Sequence, residues 1–119
     1  MTKDNTIKYK TESQKPMYIG EVTPEQIELW KANHLRGIFQ VIDDNEKHIG
    51  YFRNPFRGDV NAALAKADAK EPLATVRVFA ELLWLGGSDV FVTDTPEWLG
   101  MTSEIRAKMN GVKARLVNL

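Results

Sequence analysis

The sequence predicts a small α+β domain in which one antiparallel β-hairpin packs against about four helices. Within residues 73–85 the apolar side chains recur at helical spacing. Residues 37–53 contain two runs rich in β-branched and aromatic side chains, separated by a polar turn. The segments at residues 23–25 and 95–97 share the sequence T-P-E, which is typical of a helix start.

We expect residues 73–85 to form the central, buried helix, because their apolar arc is too broad for a helix on the surface. Only Arg77 and Glu81 interrupt that arc, and a separation of four residues lets them pair on one exposed strip. Gly86 suits the left-handed conformation that commonly ends a helix. The other elements are therefore expected to surround this helix.

A chain of 119 residues is long enough for one modest core. Residues 1–16 are polar, with four lysines against one aspartate and one glutamate, and we expect them to form a mobile tail. Residues 17–119 are then expected to fold as a single globular domain.

The first helix is predicted to run from Pro24 to about His34. Thr23 has the side chain of an N-cap, Pro24 takes the first helical position, and Gln26 completes a capping box. The buried side of this helix is expected to carry Ile27 and Trp30, with Leu29 beside them.

Residues 37–42 and 47–53 are predicted to form the hairpin, with residues 43–46 as its turn. The second strand ends at Asn54-Pro55, because proline cannot donate to a β-ladder. Both faces of the first strand are partly apolar, and the helices are expected to cover only one of them. One face would carry Ile38, Gln40 and Ile42, and the other Phe39 and Val41.

A short helix with a narrow stripe of small apolar residues is predicted to start at Asp59. Residues 88–94 form a connector whose apolar part fits either a brief strand or a loop tucked onto the core. The last helix opens at residues 95–97 and carries apolar side chains at steps of three and four. Its stripe consists of Leu99, Thr102, Ile105, Met109, Val112 and Leu116.

The composition argues against several classes of function. Without cysteine, the chain offers no disulfide, thiolate zinc site or cysteine nucleophile. Sixteen basic residues balance sixteen acidic ones, so no net field attracts nucleic acid or an anionic membrane. No signal peptide and no apolar run of membrane-spanning length is present. We therefore expect a cytoplasmic protein without a membrane partner.

Few residues are candidates for chemistry. His34 and His48 have no spacing to a serine, an aspartate or a further ligand that would predict catalysis or metal binding. The acidic turn at residues 43–46 lacks the pattern of a calcium loop. Gly86-Gly87 lacks a P-loop lysine and follows a predicted helix. We predict no catalytic residue, no metal site, no cofactor and no enzymatic activity.

Two segments and the edge of the hairpin are candidates for binding. If the last helix does not bind, the hairpin edge is the alternative, where Phe39, Val41 and Phe52 could accept an added strand. The stripe of the last helix could dock on another protein, since amphipathic helices often bind in grooves, but a stripe alone does not distinguish a docking face from a core face. The predicted contact residues are Leu99, Ile105, Met109, Val112 and Leu116. Residues 51–58, YFRNPFRG, interleave basic and aromatic side chains as single-stranded nucleic-acid sites do, although aromatic residues at a strand end more often close a core.

The order of several short motifs resembles a group of small, tail assembly chaperone-like proteins encoded in the tail-gene region of phages and prophages of Bacteroidetes and related bacteria. The matching features are T-x-E-Q-I-x-x-W-K at residues 23–31, Y-F-R-x-P at residues 51–55, an alanine-rich helix at residues 61–69, W-L-G-G at residues 84–87 with Asp89 after it, and Thr93-Asp94 before a charged last helix. The similarity spans about residues 22–119. The chain departs from the group in its longer N-terminal tail and in Asn110-Gly111.

The resemblance implies a non-enzymatic protein that binds the phage tape measure protein and keeps its apolar helices soluble while tail tube subunits assemble. The implied location is the host cytoplasm, and other tail proteins or further copies of the chain are additional partners. One alternative is a structural virion component of the head-tail connector or tail. A second is a small nucleic-acid-binding regulator, although the sequence has neither a basic face nor a helix-turn-helix pattern.

Overall fold

A computed structural model describes residues 6–43, 47–66, 74–92, 98, 101, 102, 104 and 105. The three helices bounded within these residues are α1 (Pro24–Asn33), α2 (Arg57–Lys66) and α3 (Ala74–Leu83). The strands are β1 (Ile38–Asp43), β2 (His48–Arg53) and β3 (Trp84–Gly87). The described residues beyond 97 are also helical, within the segment predicted to form the last helix. The predicted α+β class is confirmed.

The strands form one antiparallel sheet in the order β1-β2-β3. β1 and β2 form the predicted hairpin, in a register that runs from Ile38 opposite Arg53 to Asp43 opposite His48. Residues 44–46 of the predicted turn lie outside the described residues. The sheet thus has one strand more than the hairpin alone.

The additional strand, β3, replaces the end of the predicted central helix. α3 ends at Leu83, and Trp84 begins β3 without an intervening loop. The ring of Trp84 lies edge-on to Phe52 of β2, with centroids 5.3 Å apart. Gly86 is a buried strand residue, and its predicted left-handed conformation was wrong. Pairing with β2 and the Trp84–Phe52 contact have overridden the helical spacing of this segment.

The connector after β3 is a single 3₁₀ turn, Asp89–Phe91, whose Phe91 is buried in the core. The open choice between a strand and a tucked loop is therefore settled for residues 88–92. Residues 93–94 lie outside the described residues.

One face of the sheet packs against α2, α3 and the helical residues beyond 97, and we name this cluster the helical core. Val41 and Phe52 supply it from the sheet, and Phe39 stacks on Phe52 with a centroid distance of 5.3 Å. The other buried members are Val60, Ala63, Val76, Phe79, Ala80, Leu83, Phe91, Trp98, Met101 and Ile105. The segment predicted to be the centre of the domain, now α3, contributes more of these than any other helix.

The opposite face is also buried, by a second cluster that we name the N-terminal core. Its buried members are Val22, Trp30, Ile49 and Tyr51, with Ile7, Tyr18, Ile27, Ile38, Ile42 and Leu85 packed against them. Trp30 of α1 lies 5.4 Å from the ring of Tyr51, whereas Leu29 is more than half exposed. The prediction that helices cover only one face was therefore wrong, because α1 lies across the second.

Residues 6–10 run antiparallel to the chain just before α1. Lys10 N donates to Glu21 O at 2.9 Å, and Thr23 N donates to Lys8 O at 3.0 Å. Tyr9 and Val22 form the bridge between these hydrogen bonds. The segment is thus attached by backbone groups, which its polar composition does not reveal.

Side chains fix the same segment. Lys10 forms an ion pair with Glu21, and Ile7 packs into the N-terminal core. Burial opposes ionisation of Glu21, but hydrogen bonds from Lys10 and from the amides of Met17 and Tyr18 outweigh it and hold the pKa of Glu21 below its usual value. In place of the predicted mobile tail, residues 6–10 pack on the domain, and residues 1–5 lie outside the described residues.

α1 begins as predicted. Thr23 accepts a hydrogen bond from Gln26 N at 3.2 Å, and Pro24 occupies the first helical position. The Gln26 side chain does not close a capping box, since the Thr23 amide already donates to Lys8 O. Gln26 Oε1 instead accepts from Lys8 N at 2.9 Å, which joins the N-terminal segment to the helix.

α2 begins at Arg57, two residues before its predicted cap. Asp59 lies in the first turn, where Oδ2 accepts from Phe56 N at 2.7 Å and both carboxylate oxygens accept from the Arg53 guanidinium at 2.8 Å. The hydrogen bond from Arg53 lowers the pKa of Asp59 against the opposing effect of burial. Asp59 therefore joins the start of α2 to the end of β2.

Candidate protein-binding edge

The stripe predicted to dock on a partner is described at only one of its contact positions. Ile105 is fully buried in the helical core, so its side chain contributes to folding. The other four predicted contact residues, Leu99, Met109, Val112 and Leu116, lie outside the described residues. Their docking role stays a prediction, without Ile105 as an accessible member.

The outer edge of β1 is the free edge of the sheet among the described residues. Ile49 in β2 donates its amide to Ile19 O at 3.1 Å, and its carbonyl accepts from Ser88 N at 2.8 Å. Both backbone groups of Ile49 therefore point away from β1. Ile42, which faces Ile49 across the hairpin, must direct its own amide and carbonyl to the outer side.

Hydrogen-bonded and non-hydrogen-bonded partners alternate along an antiparallel pair, so Ile38 and Gln40 also direct their amide and carbonyl outward. At the other end of the hairpin, Asn54 N donates to Gly37 O at 3.0 Å, which fits the same alternation. No strand or isolated bridge within the described residues pairs with this side of β1. Gln40, at the centre of the edge, is exposed.

The opposite edge of the sheet, along β3, is protected. The Tyr9 hydroxyl lies 3.3 Å from both the amide nitrogen and the carbonyl oxygen of Gly87, the outward-facing groups near the end of β3. β3 is only four residues long, and its pairing with β2 is irregular between Tyr51 and Phe52. Short edge strands, irregular pairing and covering side chains all discourage strand addition. β1 has six residues in regular pairing and none of these protections among the described residues.

The basic and aromatic segment of residues 51–58 does not form a free cationic surface. Tyr51 and Phe52 are buried on opposite faces of the sheet. The Arg53 guanidinium forms the bidentate ion pair with Asp59 and lies 5.9 Å from the ring centroid of Phe56. Phe56 is about half exposed, and the Arg36 guanidinium also lies 5.4 Å from its ring centroid, whereas the charge of Arg53 is offset by Asp59. This arrangement favours the structural interpretation of the segment over nucleic-acid binding.

Sequence reasoning missed one pairing of chemically versatile residues. His48 Nδ1 lies 2.7 Å from Ser88 Oγ, although the two residues are 40 positions apart. Ser88 is 5% exposed and also accepts from Val90 N, while a Cβ on Gly20 would lie 2.3 Å from Ser88 N. The backbone of Gly20 thus packs closely against the backbone of Ser88, which is buried. The pair holds the turn after β3 to the start of β2, a role that only the sheet order reveals.

A small pocket lies between α3 and the helical residues beyond 97. Its lining includes Arg77, Phe91 and Trp98, and the Arg77 guanidinium lies 4.8 Å from the Trp98 ring centroid. The pocket measures about 20 Å³, room for little more than one water molecule. Among the described residues there is no cluster of three or more metal-ligating side chains. No helix in the same ranges has the length and apolarity needed to cross a bilayer.

Comparison with protein-family models, curated proteins and solved structures finds no match to the chain. The geometry of the described residues therefore carries the functional argument. It offers one extended site for another molecule, the backbone edge of β1.

Proposed function

We propose that this protein is a non-enzymatic assembly factor that binds another protein by accepting a strand at the edge of β1. The observation that carries the proposal is the contrast between the two edges of the sheet. Tyr9 covers Gly87 on β3, whereas the outward groups of Ile38, Gln40 and Ile42 have no strand beside them in the described chain. An added strand satisfies such groups with main-chain hydrogen bonds.

The partner we propose is the phage tape measure protein, and the process is tail assembly in the host cytoplasm. The support for this partner is the order of short motifs shared with tail assembly chaperone-like proteins. A segment of the tape measure protein that is held extended on β1 is kept apart from other apolar chains until the tail tube forms around it. The apolar side chains beside the edge, Ile38, Phe39, Val41 and Ile42, supply contacts for alternate side chains of that segment.

Gln40→Pro is the sharpest test of this proposal. Proline removes the outward amide at the centre of the edge but none of the bonds to β2, because that amide points away from the hairpin. We expect capture of the tape measure protein from the same phage by the purified full chain to fall at least tenfold. Gln40→Thr is the matched control, because it keeps the amide at an exposed strand position and should capture as the wild type does.

Unchanged capture by a folded Gln40→Pro protein would exclude the β1 edge as the binding surface. Mass spectrometry of purified particles separates the two structural roles. An assembly factor is absent from finished particles, whereas a head-tail connector or tail component is present in stoichiometric amount.

A further inference from the structure

We infer that the β1 edge also binds a second copy of this chain, with the two β1 strands antiparallel about a two-fold axis through Gln40. The inference rests on the proposed use of this edge for strand addition and names a further partner for it. Because one edge accepts one strand, the second copy occupies β1 when no tape measure segment is bound, and the two partners compete. The product is a continuous antiparallel sheet formed by the strands of both copies.

The pattern of outward groups selects this register. Residues whose amide and carbonyl both point outward form the narrow, doubly hydrogen-bonded pairs of an antiparallel ladder. With the axis through Gln40, this residue faces itself, and Ile38 faces Ile42 of the second copy in both directions. These pairs supply about six backbone hydrogen bonds, whereas a shift of the axis by one residue leaves about four. The register centred on Gln40 therefore satisfies the most backbone groups.

The side chains of β1 are self-complementary in the same register. Ile38 meets Ile42 on the face of the N-terminal core, and Phe39 meets Val41 on the face of the helical core. The exposed Gln40 side chain meets its own copy, and two carboxamides can exchange a hydrogen bond. No charged residue lies within these pairs, so no like charges oppose one another.

Both hydrophobic clusters extend to this edge. Ile38, Ile42 and Phe39 are only partly buried in one copy, and each belongs to the rim of its cluster. Pairing about Gln40 places the rim of one copy against the same rim of the other. The contact is therefore isologous, with each copy using the same surface.

The absence of cysteine from the sequence allows a direct test with introduced thiols. In the inferred register, Gln40→Cys places two thiols across the axis, at a Cα separation of about 5.5 Å that a disulfide can span. We expect the full chain carrying this change to form a disulfide-linked dimer under mild oxidation. Ile38→Cys alone should not, because its copies lie several residues apart along the strands.

A mixture of Ile38→Cys and Ile42→Cys proteins, tagged to differ in mass, should form the mixed disulfide and neither symmetric one. That result distinguishes the inferred register from a parallel or shifted pairing. Sedimentation of the unmodified chain should show a dimer that Gln40→Thr retains and Gln40→Pro loses. If circular dichroism shows that Gln40→Pro does not fold, the pattern of disulfides formed by the cysteine variants decides whether the two copies pair in the inferred register.

A wild-type chain that sediments as a monomer up to about 100 µM, or a dimer without the Gln40→Cys crosslink, would overturn the inference. If the wild-type chain is a monomer and Gln40→Pro loses capture of the tape measure protein, the proposed function is supported and the self-pairing is rejected. Conversely, the wild-type chain could form a dimer with the expected thiol pattern while Gln40→Pro captures the tape measure protein as well as the wild type does. That result would support self-pairing and would exclude the β1 edge as the binding surface for the tape measure protein.

Discussion

The hydroxyl of Tyr9 forms hydrogen bonds with both the amide nitrogen and the carbonyl oxygen of Gly87. Tyr9 and Gly87 are 78 positions apart in the sequence. One side chain near the N-terminus thus satisfies two backbone groups at the outer side of β3. The sheet is left with a single accessible edge among the described residues, on β1.

We expect Tyr9→Phe to lower the free energy of unfolding by about 0.5–1.5 kcal/mol, because it removes the hydroxyl while keeping the ring. The measurement is a urea melt of the full chain. Tyr18→Phe is the control, because the Tyr18 hydroxyl has no hydrogen bond to the described residues. A Tyr9→Phe midpoint equal to that of the control would show that Gly87 is satisfied in another way.

Deletion of residues 1–10 should lower the free energy of unfolding by about 2–4 kcal/mol. The deletion removes three hydrogen bonds of the Lys8 and Lys10 backbones, the ion pair with Glu21, the Tyr9 hydrogen bonds and the packing of Ile7. Each contributes about 1 kcal/mol, and the conformational entropy cost of ordering the segment offsets part of their sum. Deletion of residues 1–5 is the comparison, since it removes none of these contacts. Equal melting temperatures for the two shortened chains would revive the interpretation of this segment as a mobile tail.

Leu83→Ala should cost about 2–5 kcal/mol of stability, because Leu83 is fully buried at the end of α3 and its truncation leaves a cavity in the helical core. The same substitution at Leu64 in α2, which is 52% exposed, should cost under about 1 kcal/mol. Guanidinium melts of both variants give the comparison. A neutral Leu83→Ala would mean that the α3 contact with the sheet contributes little.

Asp59 should make stability depend on pH in acid. Its hydrogen bond from Arg53 lowers its pKa in the folded state, so the folded protein binds fewer protons at this site than the unfolded chain does. The resulting stability is fully present above the unfolded pKa, near 4, and is lost as pH falls through the folded pKa. Asp59→Asn should flatten the loss of stability below about pH 4 in urea melts at a series of pH values.

Glu21 adds a second contribution of the same sign, since its pKa is also held low. Asp59→Asn should therefore retain part of the acid dependence, and Glu21→Gln combined with it should remove more. An acid profile unchanged by Asp59→Asn would indicate that the pKa of Asp59 is the same in the folded protein and in the unfolded chain.

Local signals in the sequence were sufficient for the hairpin and for the start of α1. The alternation of β-branched and aromatic residues in β1 and β2, and the Thr23-Pro24 cap, act over a few residues and need no tertiary information. β3 was missed because Trp84 continues the helical spacing of α3, and because Gly86-Gly87 disfavours a strand unless close packing requires glycine. A Cβ at Gly86 would lie 2.7 Å from Ile7 Cδ1, a contact between distant segments.

The candidate site depends on tertiary structure in the same way. An edge strand differs from a central one only in which strands pair with it, so nothing in the residues of β1 alone identifies its outer side as free. Ile105 illustrates the converse problem. Its spacing fitted both a docking stripe and a core face, and its burial in the helical core is decided by α3 and the sheet, which lie far from it in sequence.

Burial on both faces changes how the strands find their alignment. A slip by one residue normally exposes a hydrophobic face, but β1 and β2 carry apolar side chains on both sides, so polarity alone penalises a slip only weakly. For β2 against β3, the penalty comes from steric crowding. A Cβ at Gly50 would lie 2.8 Å from the Phe91 ring, and one at Gly87, directly opposite, would lie 2.5 Å from Ile49 O. The alignment of β2 with β3 therefore depends on two glycines, Gly50 and Gly87, at positions where a side chain would not fit. The sequence shows both glycines, but their role becomes clear only when the atoms packed against them are known.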